Sequence, residues 1–186
     1  MTSDELDNYF VSPNSQFRDM RWTFPNRTHG AKLALSTINW DMALLDGSKL
    51  TDVRHQARLR WAKLLMLSIL ILPAKGRPPS PGAFSGLQNE LSVILSWMSV
   101  NGYHQPEELT PNVIDNYIED LPEFVTRRQY YDDKDDEGIG VAVFDRALNP
   151  LMRLWDQRNH FALFGVRSLT EHPFAGKGAH SIALKP

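Results

Sequence analysis

The chain has 186 residues, 42% of them hydrophobic and 23% charged, with no cysteine and a formal net charge of −2. That apolar share suffices for a packed core and argues against wholesale disorder. The lack of cysteine excludes disulfides, a thiol nucleophile and Cys-ligated zinc or iron–sulfur centres, and the near-neutral total speaks against a uniformly basic coat for nucleic acid.

The first ten residues carry Asp4, Glu5 and Asp7 with no apolar run behind them, so no secretory leader is expected and the expected location is cytoplasmic. Residues 1–48 are weakly periodic, punctuated by Pro13, Pro25 and Gly30, and read as an N-terminal arm of extended and turn structure. Within it, residues 33–40 fit either a short strand or a helical turn, and Asp46-Gly47-Ser48 reads as a turn. A helix is predicted over 51–72, because Ala57, Trp61, Leu64, Leu65, Ser68 and Leu72 recur at three- and four-residue steps. Its stretch from Trp61 to Leu72 is the greasiest in the chain, but about a dozen residues fall short of the roughly 20 that span a membrane. No membrane partner is expected.

Residues 73–82 hold Pro73, Pro78, Pro79 and Pro81 and must be a connector. Ser85 to Gln88 fits a capping box opening a helix at 86–101, with Leu87, Leu91, Ile94, Leu95 and Met98 on its buried face and Asn101-Gly102 as its stop. Thr110-Pro111 opens a third helix over 111–121, which Pro122 is expected to end. A short helix at 123–131 and an acidic loop at 132–140 follow. Asn149-Pro150 is then expected to start a helix that runs to Gly165, with Leu151, Leu154 and Trp155 inward. Residues 166–186 carry turn chemistry and read as a linker. The fold class is mainly α: four to five helices over 49–165, flanked by the arm and the tail.

The net charge conceals a segregation. Residues 49–77 hold seven basic side chains against one acid, a local +6; residues 104–145 amount to −9; residues 146–186 amount to +4. Local potential, rather than the total, steers a polyanion. Arg54, Arg58, Arg60, Lys63, Lys75 and Arg77 are therefore candidate phosphate contacts, with Arg127, Arg128 and Arg153 secondary to them and Arg158 beside them.

Other motifs fail on chemistry. Asp133-Lys134-Asp135-Asp136-Glu137-Gly138 matches the start of a calcium loop, but its twelfth position is Phe144 where a bidentate Glu belongs. Gly176-Lys177-Gly178 lacks the Ser or Thr and the upstream Gly of a phosphate loop. The six histidines stand singly, and neither a nucleophile elbow nor a dinucleotide fingerprint is present. No catalytic residue, metal site or cofactor is expected within these residues.

Taken in order, Leu91, Ile94-Leu95, Trp97-Met98, Asn101-Gly102-Tyr103 and Glu108-Leu109-Thr110-Pro111 resemble the SAM-like core-binding domain at the N-terminus of tyrosine recombinases and phage-type integrases. Flanking landmarks are similar to those of large bacterial integrase-like proteins: Asp46-Gly47-Ser48, the run from Gly76 to Gly82, Leu154-Trp155, and His172-Pro173-Phe174. The resemblance covers about residues 40–180. It implies a helical module that forms one side of a clamp on double-stranded DNA, with other integrase subunits as further partners and a catalytic domain outside these residues. That family uses an Arg, a Lys, a His-x-x-Arg pair, a further His and a Tyr nucleophile. Here only His55-Gln56-Ala57-Arg58 has the His-x-x-Arg spelling, ahead of the core-binding helices and without the other members, so it reads as coincidence. The alternative function is a non-catalytic protein-interaction or oligomerisation module, suggested by the −9 block.

Overall fold

The computed structural model describes residues 2–26, 34–129, 141–167, 169 and 171–174. Among them the chain is mainly α-helical, with a small β component near the N-terminus.

Thr2 opens a short helix α1 (Ser3–Asp7) through a capping box with Glu5. Two antiparallel hairpins follow. The first pairs β1 (Phe10–Ser12) with β2 (Ser15–Gln16), and the second pairs β3 (Arg21–Asn26) with β4 (Ala34–Asn39). The strand reading of residues 33–40 therefore holds, and the helical-turn reading does not. Alternation does the work here: Trp22, Phe24 and Ile38 point inward, with Trp22 opposite Ile38 in register. Phe24 meets Phe84 edge-on, with ring centroids 4.5 Å apart. The Gln88 side-chain amide receives the Asn39 amide at 3.0 Å and donates back to the Asn39 carbonyl, so it binds the strand as a neighbouring strand would.

Helix α2 (Gln56–Ile71) occupies most of the expected stretch but starts five residues later than expected, after a 3-10 turn at Val53–His55. It is buried from Trp61 through Ile69 on every side, which makes it the central element. Helix α3 (Phe84–Val100) also falls where its periodicity placed it, but it starts after Ala83 with no side-chain cap, so the expected Ser85–Gln88 capping box does not form and Gln88 is used on Asn39 instead. Its end is a Schellman turn: the Tyr103 amide reaches back to the Met98 carbonyl and the Gly102 amide to Ser99. Gly102 supplies the positive φ of 77° that this turn needs.

Two of the boundaries that differ from expectation lie at prolines. Helix α4 runs over Pro111–Gln129 with Pro122 inside it, so the separate helix at 123–131 is its continuation. Tyr117, Leu121 and Phe124 extend one buried stripe past the proline, whose ring lies on the exposed side. Burial of that stripe outweighs the lost amide, which costs about 3 kcal/mol. Helix α5 (Val141–Asp156) likewise contains Pro150 instead of starting at it, because Ala147, Leu148, Leu151 and Leu154 form one continuous inner face. The helix expected to reach Gly165 breaks at the buried Gln157, and α6 (Arg158–Leu163) completes it.

One hydrophobic cluster takes residues from Leu6 to Phe174. The N-terminal strands give it Phe17, Trp22, Ile38 and Trp40, and the segment after α6 gives it Leu169 and Phe174. The 132–140 loop and residues 175–186 lie outside the described residues.

Candidate nucleic-acid interface

The structure divides the predicted cations into internal and external sets. Arg58 and Lys63 are only 2% and 3% exposed. A phosphate cannot approach either one, and both have other partners, so their reading as phosphate contacts is corrected.

Lys63 projects from α2 into the loop between the two hairpins. Its ammonium donates to the carbonyls of Phe17 at 2.9 Å, Arg18 at 3.2 Å and Asp19 at 2.9 Å. It also stands 5.7 Å and 5.9 Å from the ring centroids of Phe17 and Trp22. Three acceptors and two ring faces are what a buried ammonium requires. Burial pushes its pKa down to about 8, against the opposing pull of Asp19 and Asp7.

Arg58 joins α2 to the end of α3. Its guanidinium donates to the carbonyls of Met98, at 3.2 Å, and Tyr103, and to Nδ1 of His55. The two carbonyls belong to the Schellman turn, where the partial negative charge of a helix C-terminus favours a cation. Trp97 stacks on Tyr103 beside it, at 5.4 Å and 16°.

A directed chain of hydrogen bonds continues from there. A guanidinium has only donors, so His55 Nδ1 accepts and the ring proton sits on Nε2. Nε2 then donates to Ser48 Oγ at 2.7 Å, and the Ser48 hydroxyl donates to Asp46. Ser99 donates to the other Asp46 oxygen at 2.7 Å. Burial tends to raise the Asp46 pKa, but the Ser48 and Ser99 hydroxyls, the Ser48 amide and Arg54 together pull it to about 2. Burial lowers the His55 pKa, and Arg58 and Arg54 reinforce that while Asp46 and Asp52 oppose it. Although Ser, His and Asp meet here, the protons run the wrong way for nucleophilic catalysis. Ser48 is buried, and its hydroxyl accepts from His55 instead of giving its proton to it.

The external cations fall into two places. Arg54 faces Asp46 and Arg60 faces Asp7, each at 3.7 Å, near the N-terminal end of α2. Arg77 lies beyond the other end of this 16-residue helix, a length of about 24 Å, so the six primary candidates do not form one patch.

A second group gathers instead at the last turn of α5. Lys75 comes to it from the connector and pairs with Asp156 at 2.8 Å, keeping 75% of its side chain exposed. Arg153 pairs with Glu90 of α3 at 2.8 Å. The Arg158 guanidinium lies 4.2 Å over the Trp155 ring and donates to the Trp155 carbonyl. Arg77, two residues beyond Lys75, is exposed and makes no ion pair among the described residues. Lys75, Arg153 and Arg158 thus share this end with two carboxylates, Asp156 and Glu90. Nothing in the residue spacing announced those acidic partners. Arg127 and Arg128 lie in the last turn of α4, and their side chains fall outside the described residues.

No family model, curated protein or solved structure matches the chain. No helix among the described residues is long and apolar enough to cross a membrane.

Proposed function

We propose that the chain is a duplex-DNA-binding module of the integrase type: a SAM-like core-binding bundle that grips the phosphate backbone and leaves strand chemistry to residues outside it. The observation that carries this reading is the cation group at the last turn of α5. Lys75 from the connector meets the α5 end that carries Arg153, and Arg158 follows at the start of α6, across about 80 residues of sequence. The Lys75–Asp156 pair there is partly exposed and of modest worth, so a phosphate can compete for Lys75.

The test is anisotropy of a labelled duplex titrated with the chain at several sodium chloride concentrations. Saturable binding that weakens linearly in log affinity against log salt supports the proposal. No binding at low salt overturns it. A protein-interaction or oligomerisation role would show instead as a mass that rises with concentration, without affinity for the duplex.

A further inference from the structure

The connector between α2 and α3 carries a surface that the DNA reading leaves unexplained. Three prolines, Pro78, Pro79 and Pro81, stand around Ser80. The chain turns at Gly76, whose φ of 72° lies in the left-handed region, and then runs into the 3-10 turn at Pro81–Ala83. Each proline ring fixes its own φ near about −65°, and a following proline drives Arg77, Pro78 and Ser80 to extended ψ. Ser80 has φ −68° and ψ 153°, close to the polyproline II values of about −75° and about 145°. Residues 77–79 make no hydrogen bond to any other described residue, which is the solvated backbone of that helix.

A polyproline II helix has about three residues per turn, so residues three apart share one ridge of a triangular prism. Arg77 and Ser80 share the first ridge, Pro78 and Pro81 the second, and Pro79 lies on the third. Pro79 is half-buried, so its ridge faces the body of the protein. Arg77, Pro78 and Ser80 are exposed, and Pro81 is half-buried where the run enters the 3-10 turn. The two outer ridges thus present Arg77-Pro78 and Ser80-Pro81, the same residue-then-proline unit repeated one turn apart. This PxxP spacing is what aromatic-lined grooves accept, and a run already held in polyproline II loses little further freedom on docking.

Charge selects among such grooves. No Asp or Glu occurs in the sequence between Asp52 and Glu90. Arg77 makes no ion pair among the described residues, and Lys75 keeps 75% of its side chain exposed beside it despite its pair with Asp156. An acidic groove rim complements this segment, and a basic one would repel it.

We propose that residues 77–81 dock into a protein domain with an aromatic-lined, acid-rimmed groove of the SH3 type, with the Arg77-Pro78 and Ser80-Pro81 units in the groove and Pro79 turned away from it. Arg77 is common to this contact and to the duplex contact. The proline rings offer nothing to a phosphate, so they separate the two.

The experiment titrates an isotope-labelled SH3 domain that accepts Arg-flanked PxxP peptides with the whole chain, and follows its groove resonances by NMR; a labelled WW domain is titrated in parallel. Saturable shifts confined to the SH3 groove are expected, weakening as salt rises. Pro78→Ala, which removes an exposed ring, should bind about tenfold more weakly, whereas Pro79→Ala should stay within about twofold of the wild type. Circular dichroism checks that both variants keep the fold. Pro78→Ala should bind duplex DNA as the wild type does, so loss of the groove contact and loss of the DNA contact are read separately. The proposal is overturned if no shift saturates at up to about 1 mM chain, if Pro78→Ala and Pro79→Ala lose affinity equally, or if the WW domain binds more tightly than the SH3 domain.

Discussion

Replacing Lys63 by Met keeps the length of the side chain and removes its charge and all three donors. The carbonyls of Phe17, Arg18 and Asp19 then lose an ionic partner, and each such bond is worth about 1.5–3 kcal/mol. Against this, the buried ammonium is itself unfavourable. Its pKa of about 8, against the ordinary 10.5, corresponds to roughly 3 kcal/mol returned when the charge is removed. The net loss is about 3 kcal/mol at neutral pH, a large fraction of the 5–15 kcal/mol that typically holds a domain together. Urea unfolding followed by tryptophan fluorescence measures it, and hydrogen exchange at β3 and β4 localises it to the strands that the lysine anchors. The wild type carries a second signature. Between pH 8 and about 10.5 the unfolded chain holds a proton that the folded chain has released, so stability rises with pH in that window and the rise vanishes in Lys63→Met. A change below about 0.5 kcal/mol with unaltered exchange in β3 and β4 would refute the tethering role.

Arg58→Lys cannot reproduce the fork onto Met98, Tyr103 and His55, and should lose about 2–4 kcal/mol in urea unfolding. The exposed Arg54→Gln should stay within about 0.5 kcal/mol by the same measurement, and equal losses would contradict the division into internal and external cations. His55 has a lowered pKa, so as pH falls through about 6.5 the unfolded chain takes up a proton that the native ring refuses, and stability declines. Stability curves for wild type and His55→Gln from pH 7.5 to 5 should differ in slope, flatter for the variant; parallel curves count against the assigned tautomer. Gly102→Ala meets no neighbouring atom, so its cost is the positive φ alone, about 1 kcal/mol or a few degrees in Tm by calorimetry.

The helices centred on Trp61 and Ile94 were legible in the sequence because their apolar residues repeat at three and four with no proline inside. Helices α4 and α5 were mis-bounded for one reason. Pro122 and Pro150 were weighed as local breakers, while the stripes through Tyr117–Leu121–Phe124 and Ala147–Leu151–Leu154 decide the outcome through tertiary burial. The N-terminal strands are short and one-sided, and their Trp22–Ile38 pairing depends on a register that no spacing reveals. Counting Lys and Arg as surface charges misplaced Arg58 and Lys63. For Lys63 a signal was present: it sits beside Trp61 in a helix half that is apolar all round, so it had to be buried and had to find acceptors. Arg58 offered no such signal, since its carbonyl partners lie 40 and 45 residues away. The group around α5 was hidden in the same way, because the pairs Lys75–Asp156 and Arg153–Glu90 exist only once the bundle has formed.

The salt dependence of duplex binding by the chain and by its Lys75→Gln, Arg77→Gln double variant tests the DNA reading most directly. Both side chains are exposed, so the variant should keep the stability of the wild type. Each phosphate contact contributes about 0.9 to the slope of log affinity against log salt, so the double variant should lose affinity and show a slope shallower by about 2. An unchanged slope and affinity would place the DNA contacts elsewhere and contradict the account.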